Sequence, residues 1–309
     1  MTPSNSDVTR RHALILGAAA GLSLTGSSAG AAEPKIETRP IPSSGEALPI
    51  VGLGTSGTFN IGTDPDERAQ RREVLEVLFA GGGSVIDTSP MYGRAERVVG
   101  DLLVQMGAEG RAFLATKVWT RGQASGISQM EESRRLLRHG TIDLMQVHNL
   151  VDTEAHLETL REWKAKGLIR YIGITHYTAA ALDDLARVIE RHELDFVQFA
   201  YSIFDRAAER RMLPLIAERG VASLINRPFD DGRMFRKVKG VPLPAFAEEL
   251  GIESWAQYFL KYILAHPAAT CVIPGTSKPK HMADNLAAGR GPLPDAAQRK
   301  EMISYLAAI

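Results

Sequence analysis

The chain has 309 residues, with 36 Lys and Arg against 36 Asp and Glu and an apolar share of 44%. That is enough to bury one large core or two small ones, and the balanced charge argues against nucleic acid as the main partner. The single cysteine, Cys271, excludes an internal disulfide and a cysteine-rich metal site.

In chain order, Thr9-Arg10-Arg11-His12 precedes an uncharged run from Ala13 to Ala32, and Ala29-Gly30-Ala31 offers a small-x-small cleavage site. This is the layout of a secretory signal, and paired arginines mark its twin-arginine variant. Gly17, Gly21, Ser23, Gly26, Ser27 and Ser28 make the run weakly apolar for a spanning helix. Residues 1–31 are thus expected to be a leader for the twin-arginine export machinery, cleaved to leave no stable membrane insertion. The mature protein is expected in the periplasm, or in the cytoplasm if the signal does not function. Residues 32–309 then form a single domain.

After the leader, Pro34 to Pro42 and Ala47 to Ile50 flank Ser43-Ser44-Gly45-Glu46, which predicts a β-hairpin closing one end of the molecule. Pro49-Ile50-Val51-Gly52-Leu53-Gly54-Thr55 reads as a strand ending in a glycine pair. Pro65 to Phe79 reads as a helix, stopped by Gly81-Gly82-Gly83. Strands and helices alternate from there. Strands are expected at 84–87, 112–116, 142–147, 169–174, 195–199, 221–225 and 269–273, the last making Cys271 a buried strand residue. Helices are expected at 94–106, 128–138, 153–165, 178–192, 207–218, 243–250, 253–265, 279–287 and 295–307. Eight short apolar strands, each followed by enough chain for a crossover helix, predict a parallel (β/α)8 barrel of the TIM type. An open doubly wound sheet is the lesser alternative, because Gly52-x-Gly54 lacks the third glycine of a Rossmann fingerprint.

In a parallel barrel the C-terminal strand ends converge on one face. Asp87 ends Ser84-Val85-Ile86-Asp87, Lys117 follows Phe113-Leu114-Ala115-Thr116, and His148 follows Ile142 to Val147. Tyr92 lies in the Thr88-Ser89-Pro90-Met91-Tyr92-Gly93 turn. These are the materials for a proton-donating site, of the kind that reducing a carbonyl would need. A phenol, with a pKa of about 10, is a weak acid at neutral pH, and a neighbouring ammonium would lower that value. Lys117 is suited to this task, with Asp87 to hold it charged and His148 to donate a hydrogen bond to the carbonyl oxygen. The hydride must come from a cofactor, since no side chain supplies one.

With this Asp-Tyr-Lys-His order and context, the sequence resembles the aldo-keto reductase superfamily over nearly all the chain after the leader. The resemblance implies a (β/α)8 barrel and an NADP-dependent reductase acting on a small-molecule aldehyde or ketone, with Asp87, Tyr92, Lys117 and His148 as its catalytic residues. It also assigns cofactor contacts. Gly54, Thr55 and Ser56 follow the first strand, and Thr175-His176 stands where the family carries Ser-Asn for the nicotinamide carboxamide. Gln198 is the other carboxamide partner. Asn226 takes the place of the usual stacking aromatic, which leaves Tyr201 or Phe229 to supply that ring, and Arg227 is offered to the pyrophosphate. Thr276, Ser277, Lys278, His281 and Asn285 form the adenosine segment. There Gly275 and His281 replace Lys and Arg, so NADP is expected with NAD as the alternative. Two competing readings are an NADP-binding regulatory or sensor barrel and a hydrolase using strand-end carboxylates such as Asp87 and Asp205.

Overall fold

The computed structural model describes residues 36–309, so the leader expected over 1–31 lies outside the described residues. An antiparallel hairpin comes first, β1 (Thr38–Pro40) with β2 (Ala47–Pro49), paired Arg39 to Leu48. Eight parallel strands follow in sequence order around one sheet: β3 (Leu53–Gly54), β4 (Val85–Asp87), β5 (Phe113–Val118), β6 (Ile142–His148), β7 (Ile169–Thr175), β8 (Phe196–Ala200), β9 (Ala222–Asn226) and β10 (Cys271–Val272). Bridges from Val51 to Val272 and from Gly54 to Gly275 bring β10 back to the β3 segment and close the ring. This is the expected (β/α)8 barrel, with the expected N-terminal hairpin.

The helices that cover the ring are α1 (Pro65–Ala80), α2 (Ala95–Met106), α3 (Gln123–Leu137), α4 (Thr153–Ala165), α5 (Leu182–Arg191), α6 (Met212–Arg219), α7 (Arg233–Lys237), α8 (Trp255–Leu264), α9 (Pro279–Ala287) and α10 (Ala296–Ala307). Their ends follow local chemistry. Asp64 accepts from the Glu67 amide and Pro65 opens α1, while Asp295 and Gln298 form a capping box for α10. Among the described residues, no helix is long and apolar enough to cross a membrane.

Several boundaries depart from expectation. Helix α3 starts at Gln123 rather than 128, because Gly126, a residue that disfavours helix, is required by packing: a Cβ there would lie 2.5 Å from the His156 ring. The 243–250 helix is a 3-10 turn, Ala245–Leu250, preceded by Pro242 and Pro244. The 178–192 helix is shortened to α5 by a 3-10 turn at Ala179–Ala181, and α6 begins only at Met212 after another at Ala207–Glu209. Helix α7 lies in a stretch expected to be loop.

The period-2 alternation of the strands builds the inside of the barrel. Val85, Phe113, Leu144, Tyr171, Phe196, Ala222, Leu224 and Cys271 form its apolar floor, joined by Ile41 and Leu48 from the hairpin segment. Burying such an aliphatic side chain stabilises by roughly 1.5–3 kcal/mol. The Tyr171 hydroxyl ties the floor to the hairpin turn, 2.8 Å from Ser44 Oγ and donating to Glu46 at 2.6 Å. Two and four residues further along, the same inward parity reaches Asp87, Lys117, Gln146, His148, Gln198 and Asn226. The interior thus changes from apolar at one end to polar at the other.

The seam of the ring requires glycine. A Cβ on Gly54 would lie 2.7 Å from the Ile273 carbonyl oxygen, and one on Gly275 would lie 3.2 Å from that of Gly54. The second contact gives a packing reason for Gly275. We expect Gly54→Ala to cost about 1–3 kcal/mol in urea denaturation, as overpacking does. Gly110→Ala, where an added Cβ meets nothing within 4 Å, should stay within about 0.5 kcal/mol of wild type.

Candidate active site

Strand β4 ends on Asp87 and its neighbour β5 carries Lys117 one inward step higher, so their side chains meet inside the barrel mouth. Lys117 is fully buried and Asp87 is 3% exposed. The ammonium donates to both carboxylate oxygens, at 2.9 and 2.8 Å, and to the Thr88 carbonyl at 2.7 Å. The same ammonium also acts as a hydrogen-bond partner to the Tyr92 side chain. Burial by itself depresses the Lys117 pKa, but Asp87 and then Tyr92 outweigh it and hold the ammonium above its usual value.

Tyr92 sits on the loop after β4, fixed by a bond from its own amide to the Ser89 carbonyl at 3.0 Å. The Lys117 ammonium is 4.9 Å from the centre of its ring, and the His148 ring stands edge-on at 6.2 Å. The phenol departs from the sequence expectation. Burial pushes its pKa above 10, and the opposing pull of Lys117 does not overcome it. The amine lies where expected, but the partial burial of the phenol favours its neutral form more than the ammonium opposes it.

His148 ends β6 and is 4% exposed. Its Nδ1 is 3.3 Å from Ser89 Oγ. Burial, reinforced by Lys117 and His176, lowers its pKa from 6.5 to about 3, so the ring is neutral through the physiological range.

A chain of amides continues from the ion pair. Gln198 donates to Asp87 Oδ1 at 2.8 Å and accepts from the Thr175 hydroxyl at 3.0 Å. Asn226 Nδ2 is 3.4 Å from the same Gln198 oxygen. Above them opens a cleft of about 650 Å³, lined by Asp87, Tyr92, His148 and Gln198 and, beside Asp87, by Gly54, Thr55 and Ser56, with Gly275 bridged to Gly54. Asn226, Arg227 and Phe229 complete the lining.

Not every expected residue reaches this cleft. Thr175 lies beneath it. His176 turns away, its Nδ1 accepting from the Thr178 amide at 3.2 Å and its ring stacked on Tyr177. Thr276, Ser277, Lys278, His281 and Asn285 also lie outside its lining; Lys278 and His281 are exposed at the start of α9, and Asn285 is buried. Of the two aromatics expected to replace the missing stacking ring, Phe229 lines the cleft and Tyr201 does not. The Tyr201 hydroxyl donates to Glu209 at 2.6 Å and accepts from Arg299 at 2.7 Å.

The sequence reading missed two residues. Gln146 donates to Asp87 at 3.2 Å, a placement its parity two residues before His148 already encodes. Asn149 lines the cleft, and its Oδ1 is buried without a hydrogen-bond partner, as is that of Asn226. Among the described residues, no group of His, Cys, Asp or Glu is arranged to hold a metal ion.

Residues 51–301 match the sequence profile of the aldo/keto reductase family, and the chain belongs to that family. It is similar to aldo-keto reductase YhdN of Bacillus subtilis, 30% identical over 57% of this chain and 56% of that protein. With methylglyoxal reductase YeaE of Escherichia coli it shares 27% identity over 78% of this chain and 85% of that one. A Klebsiella pneumoniae aldo/keto reductase, solved in complex with NADP and acetate, superposes with a TM-score of 0.75 at 23% identity. That superposition covers 88% of this chain and 96% of the other, and speaks for the fold.

The state of His148 has a consequence for stability. Folding holds the ring neutral down to about pH 3, whereas the unfolded chain protonates it near pH 6.5. The unfolded state thus binds the extra proton between these values, and stability is lost as pH falls. The contribution is about 1.4 kcal/mol per pH unit. Urea denaturation of wild type and His148→Gln between pH 6.5 and 4 should show the variant losing stability less steeply. Parallel pH profiles would contradict this placement of the proton.

Proposed function

We propose that this protein is an NADP(H)-dependent oxidoreductase that reduces an aldehyde or ketone to an alcohol. The observation that carries the reading is the meeting of Asp87, Lys117, Tyr92 and His148 at the floor of one cleft. It is supported by the family and by reductases among the relatives. The Klebsiella structure contains NADP, and the cleft has the polarity for a nicotinamide. Asn149 and Asn226 line the cleft with side-chain amides whose oxygens are unpaired, which suits them to a carboxamide once their side chains turn toward it. Gly54, Thr55, Ser56 and Gly275 let a ligand approach the backbone at the β3–β10 seam, with Phe229 for stacking. Thr276, Ser277, Lys278, His281 and Asn285 would take the adenosine end.

NADPH, when bound, supplies the hydride. Tyr92 is then the proton donor to the oxygen on which charge develops. Its raised pKa keeps the phenol protonated at neutral pH, and the Lys117 ammonium stabilises the phenolate left behind. Asp87 acts one step back, holding Lys117 charged and oriented. His148 is neutral; we assign the Ser89 hydroxyl, 3.3 Å from Nδ1, as the donor of that contact, which puts the ring proton on Nε2 to steady the carbonyl oxygen. The hydrolase alternative is disfavoured because Asp87 is locked onto Lys117 and not free to act as a base.

The reading extends to the leader. Arg10-Arg11 and the uncharged run behind them are proposed to route the folded chain through twin-arginine export, with cofactor bound beforehand and tightly held. Mature protein isolated from the periplasm should then carry NADP(H) through gel filtration, and protein free of nucleotide would remove this part of the account.

Tyr92→Phe tests the chemistry. The variant should bind NADPH as wild type does, while carbonyl reduction falls by about 10²–10⁴-fold, the range for losing a general acid. Cofactor oxidation with an aldehyde panel that includes methylglyoxal is the assay. Turnover equal to wild type would take Tyr92 out of the mechanism.

A further inference from the structure

The stretch Asn226-Arg227-Pro228-Phe229-Asp230-Asp231-Gly232 leaves β9 and forms one wall of the cleft. It is wound into consecutive turns, with Asp230 N bonded to Arg227 O at 3.0 Å and Gly232 N to Phe229 O at 3.0 Å. Arg227, Asp230 and Asp231 all hold left-handed backbone, with φ of 50, 47 and 52°. Such conformations are uncommon outside glycine, although Asp tolerates them better than most residues.

This winding brings a carboxylate back onto the arginine. Asp231 Oδ2 lies 2.7 Å from Arg227 Nη2, and both residues line the cleft. Asp230, between them in sequence, is directed elsewhere: it is 2.5 Å from Arg233 and 3.6 Å from Arg227. Among the described residues lining the cleft, Arg227 is the one side chain with a permanent positive charge. The cleft is therefore offered to a ligand bearing several phosphate charges while its single arginine is already paired.

We propose that Asp231 is an internal counterion occupying the place of a cofactor phosphate on Arg227, and so sets cofactor affinity. A guanidinium pairs with a phosphate through the same fork it offers a carboxylate. Binding of NADP(H) then exchanges one anion for the other, and part of the attraction of Arg227 is spent releasing Asp231. The pair is half open to water, with Asp231 64% exposed, so the exchange is not prohibitive. Asp231 makes the site weaker for its cofactor than its residues allow. The inference rests on the oxidoreductase reading above.

Titration of NADPH fluorescence on the purified mature chain, at low and physiological salt, tests it without any turnover. Asp231→Asn should lower Kd by roughly 3- to 10-fold, the scale of an exposed ion pair and its repulsion. The gain should shrink as salt screens it. Asp230→Asn, which removes an equal charge and only the longer 3.6 Å contact to Arg227 while leaving the 2.7 Å Asp231 pair, should change Kd by less than about 2-fold. Asp231→Ser serves if the first variant misfolds. An unchanged or weaker Kd in Asp231→Asn overturns the proposal, as does an equal gain in Asp230→Asn, which would mean bulk charge. If wild type and variants all fail to bind NADPH, the oxidoreductase reading itself falls; if all bind alike, only the counterion role does.

Discussion

The ammonium of Lys117 and the carboxylate of Asp87 meet inside the mouth of the barrel, where almost no water reaches either. Leaving such a charge alone is costly: removing one member of a buried pair typically destabilises by about 3–5 kcal/mol. The site is built so that neither is alone. Lys117 donates to Asp87 and to the Thr88 carbonyl, and Gln146 and Gln198 both donate to Asp87 Oδ1. Thr175 then fixes Gln198 in turn. Four strands are locked together by this one charge pair, and the ring of Tyr92 rests over it.

The pair can exist only because of what lies beneath. The opposite end of the interior is filled by Phe113, Tyr171, Phe196 and their aliphatic neighbours, and Ile41 and Leu48 from the hairpin segment seal it from solvent. Parallel strands with strict inward alternation carry this apolar filling upward until it gives way to acid, amine, amide and imidazole. The same alternation puts Gly173 in a tight place. A Cβ there would come within 3.1 Å of the Gln146 side chain and of the Phe196 carbonyl oxygen, in the space where the amides pass. Reactivity and packing are two ends of one column of residues.

Much of this was legible in the sequence because it depends on position along strands. Asp87, Lys117 and His148 each stand at or next to the end of a short apolar run, and in a parallel sheet those ends gather on one face. The eight strands and the hairpin were readable for the same reason. What escaped depends on three-dimensional meetings. Gly126 disguised the first turn of α3 because the His156 ring that requires it lies thirty residues away. Tyr201 was indistinguishable from a stacking ring until Glu209 and Arg299 were seen to hold its hydroxyl. The proton affinity of Tyr92 was expected to fall toward Lys117, yet burial, which has no local sequence signature, moves it the other way. His176 looked like a carboxamide ligand by alignment of motifs, and a local bond to Thr178 takes it away.

The polar end of the barrel sets the Tyr92 phenol over a buried ammonium with a neutral imidazole beside it, and the proposed reduction uses that phenol to protonate the substrate oxygen. The central claim is that a hydride arrives at the adjoining carbon from a nicotinamide in the same cleft. NADPH deuterated at the transferring position of nicotinamide C4 tests this most directly, with an aldehyde such as methylglyoxal as acceptor and mass spectrometry of the alcohol as readout. The account predicts one deuterium on the carbinol carbon of the product made by the wild-type chain. An alcohol without that deuterium, or no alcohol from any member of an aldehyde panel, would contradict it.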